Sequence, residues 1–187
     1  GSIIRGNPGP TSDFDIYVIH AQPQRQRLQQ IFHGVPAEIF VNPPHMIRSY
    51  FENEHGDGRP CTAHMLVTGF PVLVNDPVVK ALQEEARTWL QKTPSVPEQK
   101  LLWQRYALVD LLDNARDLLH SDPECATRIL HQAVDGMVDY RFLSNGHFLP
   151  RPKEALTKLA ELDPELAQVT RVYYQTNNVQ IQAQLAD

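Results

Sequence analysis

The stretch Gly1-Ser2-Ile3-Ile4-Arg5-Gly6-Asn7-Pro8-Gly9-Pro10-Thr11-Ser12-Asp13-Phe14-Asp15-Ile16-Tyr17-Val18 decides the fold. Asp13 and Asp15 stand two apart at the start of a predicted strand over residues 15–20, whose period of 2 puts both side chains on one face. Two adjacent carboxylates repel each other unless a cation lies between them. The pair therefore reads either as a solvated strand edge or as ligands of a hard divalent ion such as Mg²⁺. A second predicted strand, Ala37-Glu38-Ile39-Phe40-Val41, carries one acid among apolar neighbours, where a solvated acid would more naturally sit in a loop or at a strand end. With Glu38 beside the pair, three carboxylates can hold two metal ions and activate a hydroxyl for in-line attack on phosphorus. Gly1-Ser2 adds a backbone able to approach a phosphate and a hydroxyl able to hydrogen-bond to it.

Gly1-Ser2, Arg5-Gly6, Gly9-Pro10-Thr11-Ser12-Asp13-Phe14-Asp15 and a lone acid on a later strand together closely resemble the nucleotidyltransferase superfamily, which includes DNA polymerase beta and the aminoglycoside nucleotidyltransferases. The resemblance covers mainly residues 1–41 and extends more loosely through the helical half. It implies an α+β chain: a polymerase-beta-like nucleotidyltransferase domain with a mixed sheet over residues 1–92, then an all-α helical bundle domain over residues 93–187. In the family a helix and a strand precede the Gly-Ser turn, so the front domain is expected to lack them. By the resemblance Asp13, Asp15 and Glu38 are the catalytic, metal-binding triad, and Gly1, Ser2 and Ser12 contact phosphate. Arg5 matches a frequent basic position of the loop. Lys153 is similar to a lysine near the start of a late helix that contacts the nucleotide in the aminoglycoside enzymes. The activity implied is transfer of a nucleoside monophosphate from a nucleoside triphosphate, ATP being the expected donor, to a hydroxyl of a small, antibiotic-like acceptor with two Mg²⁺ ions. A second reading is an antitoxin-like or regulatory module that nucleotidylates or binds a partner protein.

Composition shifts once, at Lys92-Thr93-Pro94-Ser95-Val96-Pro97, where two prolines and small polar residues interrupt a helical pattern and predict a domain boundary. Before it, strands are predicted over 15–20, 37–41 and 71–74, and helices over 24–33, 44–54, 61–68 and 77–92. After it only helices are predicted, over 98–120, 123–144, 152–161 and 164–186. Asp122-Pro123 opens the second of these as cap and first helical residue, and Asn145-Gly146 closes it. On the wheel of 98–120, Asp110, Asp113 and Asp117 form an acidic strip beside Arg105 and Arg116. That face is either simply solvated or turns Arg105 toward a triphosphate, with Asp110, Asp113 or Glu54 as candidate general bases. The turn Pro150-Arg151-Pro152-Lys153-Glu154 presents two cations at a helix start, which opposes the helix dipole unless an anion is near.

The 187 residues are 42% hydrophobic and 21% charged, enough for one large or two small cored domains and incompatible with disorder or low complexity. Seventeen Lys and Arg against 22 Asp and Glu leave a formal charge of -5, which disfavours nucleic acid as a partner. No apolar run approaches the roughly 20 residues of a membrane span, and no charged-then-apolar leader is read at the start, so no membrane partner is expected. Cys61 and Cys125 form no metal spacing and are too few for a disulfide framework, which fits a cytoplasmic protein, and a homodimer is compatible with the sequence. The eight histidines form no zinc pattern such as HExxH.

Overall fold

The computed structural model describes residues 1–4, 6 and 8–187. The chain folds into two compact units, Gly1–Thr93 and Pro94–Asp187. The first holds β1 (Phe14–Ile19), β2 (Gln26–Phe32), β3 (Val35–Asn42), α1 (Pro44–Gly56), α2 (Cys61–Thr68) and α3 (Val78–Gln91). The second holds α4 (Glu98–Leu118), α5 (Pro123–Ser144), a 3-10 turn over Pro152–Glu154, α6 (Ala155–Leu162), α7 (Pro164–Gln175) and α8 (Val179–Ala186). The architecture is α+β, a mixed sheet followed by helices.

The sheet runs in the order β1-β3-β2, with β1 parallel and β2 antiparallel to β3. Its central strand is thus the last to be made along the chain. Residues 24–33, predicted as helix, instead form β2. Gln, Arg and Leu favour a helix weakly, and the pairing with β3 overrides that preference. The decisive local signal is the two-residue connection His33-Gly34, whose φ values of 50° and 84° suit a tight hairpin turn that twists with the strands. Residues 71–74 form no strand. Pro71 lacks a ladder donor, and among the described residues no strand edge pairs with the segment, so Phe70, Val72 and Leu73 stay exposed.

One face of the sheet carries Asp13, Asp15, Tyr17 and Ile19 in succession, because alternation returns every second residue to the same side. Tyr17 and Ile19 pack on the buried cluster of Ile47 and Phe51 from α1, Ala63 and Leu66 from α2, and Leu82 and Ala86 from α3. Each large member contributes roughly 1.5–3 kcal/mol by leaving water. The helices therefore cover one end of this face, and Asp13 and Asp15 stand exposed at the other.

In the second unit α5 is the spine. Leu130 and Val134 pack with Ala115 of α4, Tyr173 of α7 and Ala183 of α8, and further along Val138 and Phe142 pack with Leu159 of α6 and Ala167 of α7. Asp122 caps α5 by accepting from the Cys125 N–H at 3.0 Å, with Pro123 as first helical residue. The predicted helix over 164–186 is broken in two. Thr176-Asn177-Asn178 leaves helical geometry, and Asn178 restarts the chain by accepting from the N–H groups of Gln180 and Ile181 at 3.0 and 3.1 Å.

Candidate active site

Asp15 and Glu38 are directly paired across the parallel β1 and β3 strands, so their side chains share a face. Asp13 lies two residues earlier on that side, and with Glu38, Gln29 and Pro36 it lines a recess of about 670 Å³. The turns that precede β1 fold back onto this end of the sheet. Ser2 Oγ and Ser12 Oγ, ten residues apart, are hydrogen-bonded at 2.7 Å, and Ser12 Oγ also accepts from the Gly9 N–H at 2.8 Å. The Gly1 nitrogen lies 3.7 Å from Asp15 Oδ2. A Cβ at Gly1 would sit 2.5 Å from that same oxygen, so a side chain there would have to turn the carboxylate away. Gly1, Ser2, Ser12 and Asp15 are therefore gathered in one place, with Asp13 and Glu38 on the same sheet face. Arg5 lies outside the described residues. Lys153 belongs to the second unit, exposed on its 3-10 turn.

The electrostatics of the carboxylates are set by Arg27 of β2, which ion-pairs with Glu38 and holds its guanidinium 5.3 Å from the centre of the Phe40 ring. Glu38 holds Arg27 protonated above its ordinary range. Among the described residues no three His, Cys, Asp or Glu side chains stand close enough together to hold a metal ion. The donor set suits a hard cation in kind, carboxylate oxygens at the exposed end of one sheet face, with Glu38 engaged by Arg27. The helical composition of residues 24–33 conceals Arg27 from the sequence, since only the pairing with β3 brings it to Glu38.

Two residues further along the same face lie Tyr17 and Phe40, paired across β1 and β3, their rings stacked with centroids 5.9 Å apart and planes 16° from parallel. They form part of the wall of a cavity of about 340 Å³ that also touches Arg27, Tyr50, Glu54 and Thr62. Asn42, itself buried, donates to the Tyr17 hydroxyl at 3.0 Å. Burial pushes the Tyr17 phenol up to about 12. Arg25 donates to the Tyr50 hydroxyl at 2.6 Å. Glu54 accepts from the N–H and the hydroxyl of Thr62, both at 2.7 Å, and closes the first turn of α2. Burial raises its carboxyl above the usual range, against the Thr62 bonds that lower it. Extending the period of 2 from Asp15 to Tyr17 and from Glu38 to Phe40 would have found this wall in the sequence.

The other candidate bases lie in the second unit. Asp113 is paired with Arg116 at 2.6 Å, and Asp110 accepts from Asn114 at 3.1 Å. Arg116 also pairs with Asp187, and Arg105 is exposed.

A nucleotidyltransferase-like protein from Exiguobacterium sibiricum 255-15, whose crystal structure is known, superposes on this chain with a TM-score of 0.58. The fold is nucleotidyltransferase-like. Identity is 12%, and the match covers 92% of this chain but only 58% of that protein, so the chain spans a little over half its length. No protein-family model and no curated protein matches the sequence. No helix among the described residues is long and apolar enough to cross a membrane.

Proposed function

We propose that the chain is a metal-dependent nucleotidyltransferase that moves a nucleoside monophosphate from a nucleoside triphosphate, ATP the expected donor, to a hydroxyl of a small-molecule acceptor. The observation that carries this reading is the gathering of Gly1, Ser2 and Ser12 against Asp15, with Glu38 paired across the sheet. The acceptor oxygen attacks the α-phosphorus, the bond from that phosphorus to the bridging oxygen breaks, pyrophosphate leaves, and the hydroxyl proton passes to a base. Asp13, Asp15 and Glu38 stand apart in this structure and would have to draw together to hold Mg²⁺, which would supply neutralisation of the phosphate charge and a more acidic acceptor hydroxyl. The Ser2 and Ser12 hydroxyls donate to phosphate oxygens, and Gly1 leaves room for the phosphate beside Asp15. Arg5 is the cation that the resemblance assigns to the remaining charge. Arg27 engages Glu38 through Oε1, and a triphosphate is a natural alternative partner for that guanidinium.

The test is Mg²⁺-dependent pyrophosphate release from ATP in the presence of a panel of small hydroxylated acceptors. Asp15→Asn and Glu38→Gln are expected to lower turnover by about 10²-fold or more while the fold is retained. Parent-like rates in both variants would remove the site assignment. Label transferred to a protein serine or tyrosine, with no small acceptor used, would select the protein-modifying reading instead.

A further inference from the structure

The cavity over Tyr17 and Phe40 has a composition that the transfer chemistry does not require. Its volume of about 340 Å³ lies at the lower end of the roughly 300–1,000 Å³ typical of small-molecule sites. One wall is a pair of nearly parallel aromatic rings. Because the two rings stack on each other and Arg27 covers the far face of Phe40, the pair offers aromatic edges, against which the face of a flat ring packs. Another part of the lining is the Glu54 carboxylate, each of whose oxygens already takes one hydrogen bond from Thr62 and retains a further lone pair. An ionised carboxylate accepts only, so it selects ligands that bring a donor. Phe40 meets Arg27 on one side, which fixes its ring against rotation into the cavity.

Position supplies the second half of the argument. Tyr17 and Phe40 are one strand step beyond Asp15 and Glu38, a separation of roughly 6–7 Å. A ring in this cavity would need a substituent of about that length, passing Arg27, to reach the carboxylates.

We propose that this cavity binds a planar ring bearing an N–H or O–H donor, the ring packing against the edges of Tyr17 and Phe40 and the donor meeting Glu54. The ring comes either from the base of the nucleotide or from the acceptor, and only this choice of source rests on the transferase reading. Ring binding itself requires neither metal nor triphosphate.

The experiment is saturation-transfer NMR followed by equilibrium titration of the full chain without divalent cation, using adenosine and guanosine in one arm and tyramine in the other. Phe40→Leu keeps an apolar side chain but removes the aromatic contact, and is expected to weaken binding by roughly three- to tenfold. Glu54→Gln is expected to weaken every ligand that binds. Because Glu54 also caps α2, Tyr50→Phe accompanies it as a second cavity variant, and circular dichroism melts confirm that each variant is folded. Binding confined to the nucleosides assigns the ring to the base, binding confined to tyramine assigns it to the acceptor, and binding of both supports a general ring site. The proposal is overturned if no ring compound binds the parent chain, or if Phe40→Leu binds as tightly as the parent. Since no triphosphate is present, failure of nucleotidyl transfer and failure of ring binding are separate results.

Discussion

Replacing Thr62 with Val removes one of the two donors that hold the Glu54 carboxylate, together with the contact of the Thr62 hydroxyl with Tyr17. Thr62 is 6% exposed, and Val has nearly its shape, so the change is chiefly the loss of the hydroxyl and its hydrogen bonds. The lost bond is a hydroxyl donating to Glu54 Oε1 at 2.7 Å. Hydrogen bonds to charged groups are worth about 1.5–3 kcal/mol, and the lower part of that range applies to a carboxylate only partly buried. A methyl buried in place of the hydroxyl returns up to about 0.8 kcal/mol. The net expected loss is about 1 kcal/mol at neutral pH.

Its pH dependence follows from the raised Glu54 carboxyl. In the folded chain Glu54 holds its proton to higher pH than in the unfolded chain. The stability linked to that proton is fully present below the unfolded value and is lost as pH rises through the folded one. Thr62→Val removes an interaction that lowers the folded value, so it moves that value higher and widens the window of loss. Parent and variant should therefore converge in acid, where the protonated group no longer needs the missing donor, and separate above the window. Urea unfolding followed through Trp89 fluorescence checks this in a chain carrying Trp103→Phe, a change at a side chain 63% exposed. A penalty of equal size at acid and neutral pH, or none at neutral pH, refutes the reasoning.

Leu130→Ala empties a site 1% exposed at the centre of the second unit and should lower stability by about 2–5 kcal/mol, read as a shift of the urea midpoint by far-ultraviolet circular dichroism. Asn178→Ala deletes the acceptor of two N–H groups at the start of α8 and should cost about 1 kcal/mol in the same measurement. Arg27→Met leaves Glu38 without its counterion, so Mn²⁺ titrated by water-proton relaxation should bind roughly fivefold more tightly, the order of effect one charge a few ångströms away exerts in water.

The elements most legible in the sequence were those with a long period or an explicit punctuation mark. α5 carries Asp122-Pro123 at one end and Asn145-Gly146 at the other, and its bounds follow directly. β1 and β3 were visible because alternating apolar residues flank Asp15 and Glu38. β2 was hidden because Gln26-Arg27-Leu28-Gln29-Gln30 has a helical composition, and only its partner strand makes it extended. The break before α8 was hidden for the opposite reason, since Asn178 favours the helix that follows it while ending the one before. At the candidate site, the shared face of Asp13, Asp15 and Glu38 follows from a period of 2. The approach of Ser2 to Ser12 is a loop contact that no period encodes, and the grip of Arg27 on Glu38 depends on a strand the composition conceals.

The two pairings of β3 differ greatly in the length of chain each must close. β2 and β3 are joined by His33-Gly34 alone, and such hairpins close within about 1–10 μs. β1 reaches β3 only across the whole of β2, which makes this contact slower by its loop entropy. Loop length thus favours formation of the hairpin first, which would bring Arg27 to Glu38 before β1 arrives. When β1 arrives, Asp15 settles beside an acid whose charge is spoken for, and the repulsion that would slow closure of the sheet is suppressed at the step where it matters. Arg27 in this sense acts as a chaperone carried within the chain, a neighbour on β2 that neutralises Glu38 as the sheet closes.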